Sequence, residues 1–254
     1  QFTDDFSDGD FTNNPAWGGN VEVFEVDTAL KLHLKDTIAN SSSLATLSEC
    51  IINGEWRFNV KLGFSPSTNN YARVYLVSDE EDLLGNLNGY FVKIGGQTGA
   101  VDEISLYRQN GTSHTEIIDG IDGLATDNPD VKVRVTRDTF GNWELFLDTN
   151  GVFFSQGTAF DDEITYSEYF GVFCKYTITR SNKFWFDDVN ISGFAAVYGC
   201  TDFSACNYDS LATADDGSCD LPNGCGDPLY LEYDPLVTCP DPLDCITLIT
   251  TGLS

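Results

Sequence analysis

Carboxylates on two strand-like segments are the first candidates for chemistry in this 254-residue chain. Glu22, Glu25 and Asp27 lie in one alternating segment, and Glu144 and Asp148 lie in another. Because residues two apart in a strand share a face, Glu25 and Asp27 are predicted to point the same way. Two acids about 5 to 9 Å apart could hydrolyse a glycan, although solvated strand faces would give the same pattern.

Histidines offer little for catalysis, since the chain has only His33 and His114. His33 alternates with leucines on a predicted strand and is expected to face the surface, and His114 lies in a predicted polar loop. No G-x-S-x-G motif accompanies either residue, and the cysteines lack the close C-x-x-C spacing of zinc sites. The sequence therefore predicts neither a nucleophilic triad nor a zinc centre.

Six of the eight cysteines fall in a near repeat with a period of 25 residues, which aligns Cys200 with Cys225. In the second copy Leu231 replaces Cys206, and Cys239 stands where the first copy has Ala214. A segment this poor in large apolar residues is predicted to be held by disulfides, which form outside the reducing cytosol. The 15 possible pairings stay open. The six are Cys200, Cys206, Cys219, Cys225, Cys239 and Cys245.

Cys50 and Cys174 lie outside this cluster, each in a predicted strand. In an oxidising exterior they are expected to form one disulfide across or between sheets. Two buried free thiols would look the same in sequence.

The formal charge is −27, from 13 basic and 40 acidic residues. Such a chain repels phosphate backbones and anionic headgroups, which argues against nucleic acid and direct membrane binding. It has no apolar run of about 18 residues that would insert into a bilayer. The chain starts at Gln1 and contains no methionine, so we expect that a secretory signal peptide was removed from an extracellular protein.

Period-2 alternation between Gly, Asn and Asp turns predicts an all-β domain over residues 1–196, a Cys-rich stalk over 197–245 and a β-prone tail over 246–254. About nine to twelve strands favour two packed antiparallel sheets. The runs at 169–176 and 183–189 are apolar throughout and are predicted to be central strands, buried on both sides. Long loops are predicted at 78–89 and 110–129. The other predicted strands are 21–26, 30–35, 56–62, 71–77, 90–94, 131–137 and 143–148.

Several blocks of this domain resemble a known family. The segments DDFSDGDFTNNPAWG (4–18), WRFNVKLGFSPSTNNYARVYLVSD (56–79), GYFVKIGG (89–96) and YFGVFCKYTITRSNKFWFDDV (169–189) are similar to concanavalin A-like, laminin-G-like modules of bacterial surface proteins exported by type IX secretion. The segment from Gly199 resembles the GCTD-x-x-ACNYD-x-x-A-x-x-DDGSC repeats of the same proteins. The resemblance implies a jelly-roll sandwich, contact with the export machinery, and a fold that hosts lectins, hydrolases and adhesion modules.

The resemblance also implies a structural calcium between the first and last strands of the sandwich, with a second, weaker cluster in the repeat. Turn and cap roles would explain the same aspartates. The candidate ligands are Asp4, Asp5, Asp8, Asp10, Asp187 and Asp188, and in the repeat Asp215 and Asp216. D-[S/T]-hydrophobic triplets resemble the O-glycosylation signal of these bacteria and mark Thr28, Thr37 and Ser210.

These features favour a non-enzymatic extracellular protein that acts in cell-surface structure or adhesion and binds surface glycans or other copies of itself. Trp17, Trp56, Trp143 and Trp185 are expected to be core residues rather than sugar platforms. The tail segment Ile246–Thr251 could add as a strand to a neighbouring sheet edge. The alternative is a secreted lectin or glycoside hydrolase that acts on polysaccharide.

Overall fold

Strands make up most of the regular structure in the computed structural model, which describes residues 2–97 and 101–249. The chain divides into two compact units, Gln1–Ala195 and Ala196–Ser254. Within the described residues, no helix has the length and hydropathy needed to cross a membrane.

The first unit contains fifteen strands and one 3₁₀ turn at Val21–Val23. The strands are β1 Phe2–Asp4, β2 Gly18–Gly19, β3 Phe24–Val26, β4 Leu32–Leu34, β5 Asn40–Leu47, β6 Ile52–Leu62, β7 Tyr71–Ser78, β8 Leu87–Ile94, β9 Ile104–Gly111, β10 Ser113–Ile118, β11 Asp130–Arg137, β12 Asn142–Asp148, β13 Phe154–Phe160, β14 Tyr169–Tyr176 and β15 Phe184–Phe194.

These strands form two sheets in which all pairings are antiparallel. The eight-stranded sheet has the order β13-β12-β11-β6-β15-β4-β3, with β1 also paired to β15. The seven-stranded sheet has the order β10-β9-β8-β7-β14-β5-β2. The predicted all-β, two-sheet antiparallel fold is confirmed, and so is the expected proximity of the first and last strands, since Asp4 lies opposite Val189.

Alternation explains why these segments are strands. In β6 every second side chain, from Ile52 to Leu62, is buried, and the residues between them face outward. Aromatic contacts join the inner faces of the two sheets: Phe58 lies 6.5 Å from Phe170, and Tyr90 lies 4.5 Å from Trp143, between ring centroids. Each such ring, once withdrawn from water, contributes about 1.5–3 kcal/mol.

Most predicted strands are confirmed to within a few residues, and the differences have physical causes. β5 is serine-rich and was not predicted, although its centre is buried. β10 lies inside the predicted long loop 110–129 because it pairs with β9. β15 is central as predicted, but one of its faces is only partly buried, since Trp185 points outward and stacks on His33.

The second unit has little regular structure: a parallel pair of two-residue strands, β16 (Tyr198–Gly199) and β17 (Ala214–Asp215), and a 3₁₀ turn at Pro242–Asp244. Its six cysteines are disulfide-bonded, as predicted. Each copy closes on itself through equivalent bonds, and the third bond joins the two copies. The pairs are Cys200–Cys219, Cys225–Cys245 and Cys206–Cys239.

The tail pairs with its own unit rather than projecting as a free strand. Leu231 N donates to Thr247 O, and Ile249 N donates to Leu229 O. The last two residues of the predicted segment 246–251 lie outside the described residues.

The predicted disulfide between Cys50 and Cys174 is wrong, because both are buried free thiols. Cys174 lies in β14, opposite Ser42 of β5 and Ala72 of β7. Cys50 lies in the connection before β6, where its thiol donates to the carbonyl of Ser192. Burial raises the pKa of both thiols.

Candidate functional site: a cleft on the seven-stranded sheet

The outer face of the seven-stranded sheet carries aromatic and cationic side chains in adjacent positions. Along β7, alternation turns Tyr71, Arg73 and Tyr75 to this face. Strand register then places Lys93 of β8 and Phe173 of β14 on the two sides of Arg73. Lys175 of β14 likewise lies opposite Tyr71.

Aromatic rings form an apolar cluster on this outer face, separate from the core between the sheets. Tyr71, Tyr75, Phe91 and Phe173 are all buried, together with Leu83 of the β7–β8 connection. The ring of Tyr75 lies 5.0 Å from that of Phe91, and the rings of Tyr71 and Phe173 lie 6.1 Å apart. The cluster gives the face a rigid apolar floor.

Three cations surround the ring of Tyr71, and we call Arg73, Lys93 and Lys175 the cation triad. Their charged groups lie 5.5, 5.2 and 5.6 Å from its centroid. Arg73 also stacks 4.7 Å from the centroid of Phe91. The quadrupole of an aromatic ring attracts cations at such distances.

Within the described residues, the side-chain hydrogen bonds of the cation triad go only to neutral oxygens. Arg73 donates to the hydroxyls of Tyr75 and Tyr71 at 3.1 and 3.3 Å. Lys93 Nζ donates to a carbonyl of the β8–β9 connection, and Lys175 Nζ to a carbonyl before β7, both at 3.2 Å. Among the described residues, no carboxylate oxygen lies within 4.0 Å of these nitrogens, and the buried Nε of Arg73 has no partner.

An open cleft of about 470 Å³ lies over this face. It is lined by Arg73 and Lys175, by Gln109 of β9 and His114 of β10, and by the edge residue Ser41 of β5. The volume lies within the usual range for small-molecule sites. The cleft therefore combines an aromatic floor, amide and hydroxyl groups, and an excess of positive charge.

The electrostatics of the cleft follow from its crowded cations. Desolvation and the charges of Arg73 and Lys93 lower the pKa of His114 to about 4. Desolvation and Arg73 also lower the pKa of Lys93. Desolvation is the largest cause of both shifts, and at Lys93 the charges of Glu103, Glu116 and Asp102 oppose the lowering.

No known protein family matches the sequence, and no curated protein is similar to it in sequence. Solved structures do share its fold. The carbohydrate recognition domain of Emp47p is 13% identical, with a TM-score of 0.57 over 76% of this chain and 96% of that chain. The exoplasmic/lumenal domain of VIP36, in its Ca²⁺/Man-bound form, is 12% identical, with a TM-score of 0.54 over 72% and 84%.

A legume lectin-like domain from Entamoeba histolytica is also similar, with 13% identity and a TM-score of 0.54 over 73% of this chain and 92% of that chain. The sandwich has the legume-lectin-like, concanavalin A-like fold. The fold expected from the sequence resemblance is thereby confirmed. At such low identity the likeness establishes the fold alone, because one fold supports many functions.

In this lectin-like sandwich the aspartates predicted to bind calcium are used in local structure. Asp4 accepts hydrogen bonds from Phe6 N and from Trp17 Nε1, at 3.0 and 2.8 Å. Asp5, Asp8 and Asp10 each accept from a backbone N–H two residues ahead. This is the turn role that the sequence analysis held open.

The other four predicted metal ligands are also engaged. Asp187 pairs with Lys31 at 2.7 Å, and Asp188 accepts from Asn59. Asp215 and Asp216 accept from Gly217 N and Ser218 N in the repeat. None of the eight belongs to a group of three acids, cysteines or histidines with converging ligand atoms in the described part of the chain.

The group that does converge consists of Glu103, Glu116 and Asp119, whose ligand oxygens lie within 4.8 Å of one another. Glu103 is buried beside the start of β9, and Glu116 lies on β10 opposite Tyr107. Desolvation, followed by the charges of Glu116 and Asp119, raises the pKa of Glu103 to about 7. Three carboxylates are hard oxygen donors of the kind that calcium takes, and sequence inspection missed them.

The carboxylates considered for the hydrolase alternative lie on the eight-stranded sheet, and Glu25 and Glu144 stay apart. Glu25 of β3 pairs with Lys35, while Asp27 accepts from Trp185 Nε1. Glu144 lies on β12, and four strands separate β12 from β3. At about 4.8 Å per strand this places Glu25 and Glu144 on the order of 24 Å apart, too far for a shared reaction at one glycosidic bond.

The remaining predictions have mixed outcomes. His33 faces outward as predicted, but the ring of Trp185 covers it at 4.8 Å. The prediction that His114 lies in a loop is wrong, because it lies in β10. The three other tryptophans are core residues, as expected. Thr28, Thr37 and Ser210 are all exposed, so their glycosylation stays a prediction.

Proposed function

We propose that the sandwich is a non-enzymatic carbohydrate-binding domain of an extracellular protein, and that it binds glycans in the cleft on the seven-stranded sheet. The observation that carries this proposal is the aromatic floor with polar and cationic groups above it. A sugar presents an apolar C–H face and a hydroxyl edge, which suit a surface of this mixed composition.

The fold supports the same function. The matched structure of Emp47p is its carbohydrate recognition domain, and the matched VIP36 domain is in its Ca²⁺/Man-bound form. These ligands belong to those proteins, and for this chain they support only a general class of ligand. Three disulfides in the second unit fit an oxidising, extracellular location.

A larger cleft of about 650 Å³ lies on the eight-stranded sheet and is a weaker candidate. Two of its carboxylates are already matched within the protein, although the buried Nε of Arg137 has no partner among the described residues. Glu55 pairs with Arg57 and Arg134 at 2.6 and 2.8 Å. Asp138 closes a turn by accepting from Phe140 N, so fewer groups remain for a ligand.

Blocking each cleft separately tests the proposal. Ser41 and Thr136 are half-buried strand residues that line the two clefts, and tryptophan is accepted well in strands. On a glycan array, Ser41→Trp is expected to abolish the binding of whichever glycan the wild type retains, while Thr136→Trp preserves it. Melting temperatures of both variants control for folding.

Loss of binding in Thr136→Trp, with binding kept in Ser41→Trp, would place the site on the eight-stranded sheet. A wild type that binds no glycan would remove the proposed function. Release of reducing sugars from a bound polysaccharide would revive the hydrolase alternative.

The adhesive role and the self-association expected from the sequence remain part of the proposal. A glycan-binding sandwich followed by a disulfide-linked segment suits attachment at a cell surface. Deleting residues 246–254 and measuring mass by light scattering tests self-association, because an unchanged oligomer would exclude the tail as its cause.

A further inference from the structure

Among the described residues, the cation triad groups three basic residues without an ion pair on one face, whereas the other four such residues, Lys132, Arg137, Arg180 and Lys183, lie outside the seven-stranded sheet. The protein has 13 basic residues against 40 acidic ones, so carboxylates are abundant. Six lysines and arginines form ion pairs: Lys31, Lys35, Arg57, Lys61, Arg108 and Arg134. The triad members have no such partner among the described residues, although they lie on one face.

Grouping like charges without counterions costs free energy, because each charge disfavours the others in a partly desolvated site. Ring faces and neutral oxygens offset part of this cost. A bound anion would supply the missing countercharge, and charge-assisted hydrogen bonds to it would be stronger than the present neutral ones. The unpartnered Nε of Arg73 is one donor that lacks an acceptor.

The distances between the members of the cation triad limit how far apart the acid groups of a bound anion can be. Each charged group lies 5.2 to 5.6 Å from the centroid of Tyr71, so no two are farther apart than twice that distance. This span matches acid groups carried on one or two adjacent sugar units. The open cleft above the triad lets a longer chain pass over it.

We propose that the cleft binds an anionic polysaccharide, whose carboxylate or sulfate groups lie against Arg73 and Lys175 in the cleft, while Lys93 adds positive charge from beside Arg73. The inference rests on the carbohydrate-binding function proposed above and names its ligand class. The chain has 40 acidic residues against 13 basic ones, so most of its surface repels the same ligand.

Matched pairs of probes distinguish recognition of the negative charge from recognition of the sugar. Binding is measured by calorimetry to polygalacturonate and its carboxyl-reduced form, to dextran sulfate and dextran, and to poly-L-glutamate. The expected result is binding to at least one anionic polysaccharide at least tenfold tighter than to its neutral partner and than to poly-L-glutamate. Whether polygalacturonate or dextran sulfate binds distinguishes carboxylate from sulfate.

Arg73 and Arg134 are a matched pair for mutation. Each stacks at 4.7 Å on a phenylalanine of its own sheet, but Arg134 is paired with Glu55. Arg73→Met is expected to weaken binding at least tenfold, and Arg134→Met less than twofold. Lys175→Met is a second variant that removes only one carbonyl hydrogen bond and one ring contact, so it keeps the test valid if Arg73→Met misfolds.

Other outcomes separate the two proposals. Equal binding to neutral and anionic partners overturns the anionic ligand and leaves carbohydrate binding intact. Equal binding to poly-L-glutamate overturns it as well, because charge alone would then explain the interaction. Binding to none of the probes, and to no glycan on the array, overturns both proposals.

Discussion

The two outer faces of the sandwich treat their charges in opposite ways. On the eight-stranded sheet, cations lie beside carboxylates, as where Glu55 accepts from both Arg57 and Arg134. On the seven-stranded sheet, as far as the described residues show, the cation triad around Tyr71 and the acidic group around Glu103 are separate clusters without direct ion pairs, although Glu103 and Glu116 act on Lys93 at longer range. Paired charges satisfy one another, whereas segregated charges leave a field that a ligand can use. The comparison supports the seven-stranded sheet as the proposed binding face.

The largest effect is expected from removing the ring at the centre of the triad. Tyr71→Ala deletes a buried ring and its contacts with three cations, so it should destabilise the fold by about 3 kcal/mol. Phe146→Ala, at a half-buried ring under Arg134, should cost about 1 kcal/mol. Urea denaturation measures both. An equal loss of stability in Tyr71→Ala and Phe146→Ala would mean that the aromatic rings under the cations contribute equally on the two sheets.

The acidic group predicts a pH dependence of stability. The native pKa of Glu103 is raised to about 7, so the folded state holds this proton more tightly than the unfolded chain. The resulting stabilisation is complete below about pH 4.5 and is lost as the pH rises through 7. Glu103→Gln should therefore be more stable than the wild type at pH 8, by roughly 1 to 3 kcal/mol.

Urea denaturation at pH 5 and pH 8 tests the Glu103 prediction. Glu25→Gln, on the other sheet, serves as the control and should not flatten the pH dependence. If the wild type and Glu103→Gln change in parallel with pH, segregation of the acids has no energetic consequence.

A smaller effect is expected at His114, which reports the field of the cation triad. Its pKa, about 4 in the wild type, should rise by roughly half to one unit in Arg73→Met, because one of the charges that disfavour protonation is gone. Desolvation of the ring remains and keeps the pKa below its usual range. NMR titration of His114 in the wild type and in Arg73→Met measures this shift. An unchanged pKa would show that Arg73 does not act on this ring.

The smallest effect is expected where charges are paired. Glu55→Gln leaves Arg57 and Arg134 without their shared carboxylate, but both side chains remain partly solvated. The change in the free energy of unfolding should stay under about 1 kcal/mol, and glycan binding should not change. A gain of anionic polysaccharide binding would show that an unpaired cation is sufficient and that the aromatic floor is dispensable.

Sequence patterns predicted the fold better than the site, for a physical reason. Alternation is a local property, so β6, β7, β11 and β12 could be located from one segment at a time. The triad depends on the register between β7, β8 and β14, which no single segment contains. A local signal did exist, since Tyr71 and Arg73, Phe91 and Lys93, and Phe173 and Lys175 each share a strand face.

The predicted calcium ligands stay a prediction and the predicted disulfide between Cys50 and Cys174 is wrong, and both depend on information that one segment does not contain. Aspartates near the start of the chain fit both a metal site and a series of turns, and only the positions of nearby N–H groups distinguish these roles. Cys50 and Cys174 each fit a buried position, but their separation depends on packing between distant segments. In the repeat the sequence left the cysteine pairings open, because the bond between Cys206 and Cys239 depends on how the two copies pack together.

The two equivalent disulfides of the repeat also govern how the second unit responds to a pulling force. A force applied across it follows the shortest covalent route, which crosses Cys200–Cys219 and Cys225–Cys245 and bypasses both loops. The bypassed loops span sequence separations of 19 and 20 residues. Each disulfide therefore prevents roughly 60 Å of chain from extending under force. Shear on a bound surface would therefore load a short, nearly inextensible tether, and only a reductant would let it lengthen.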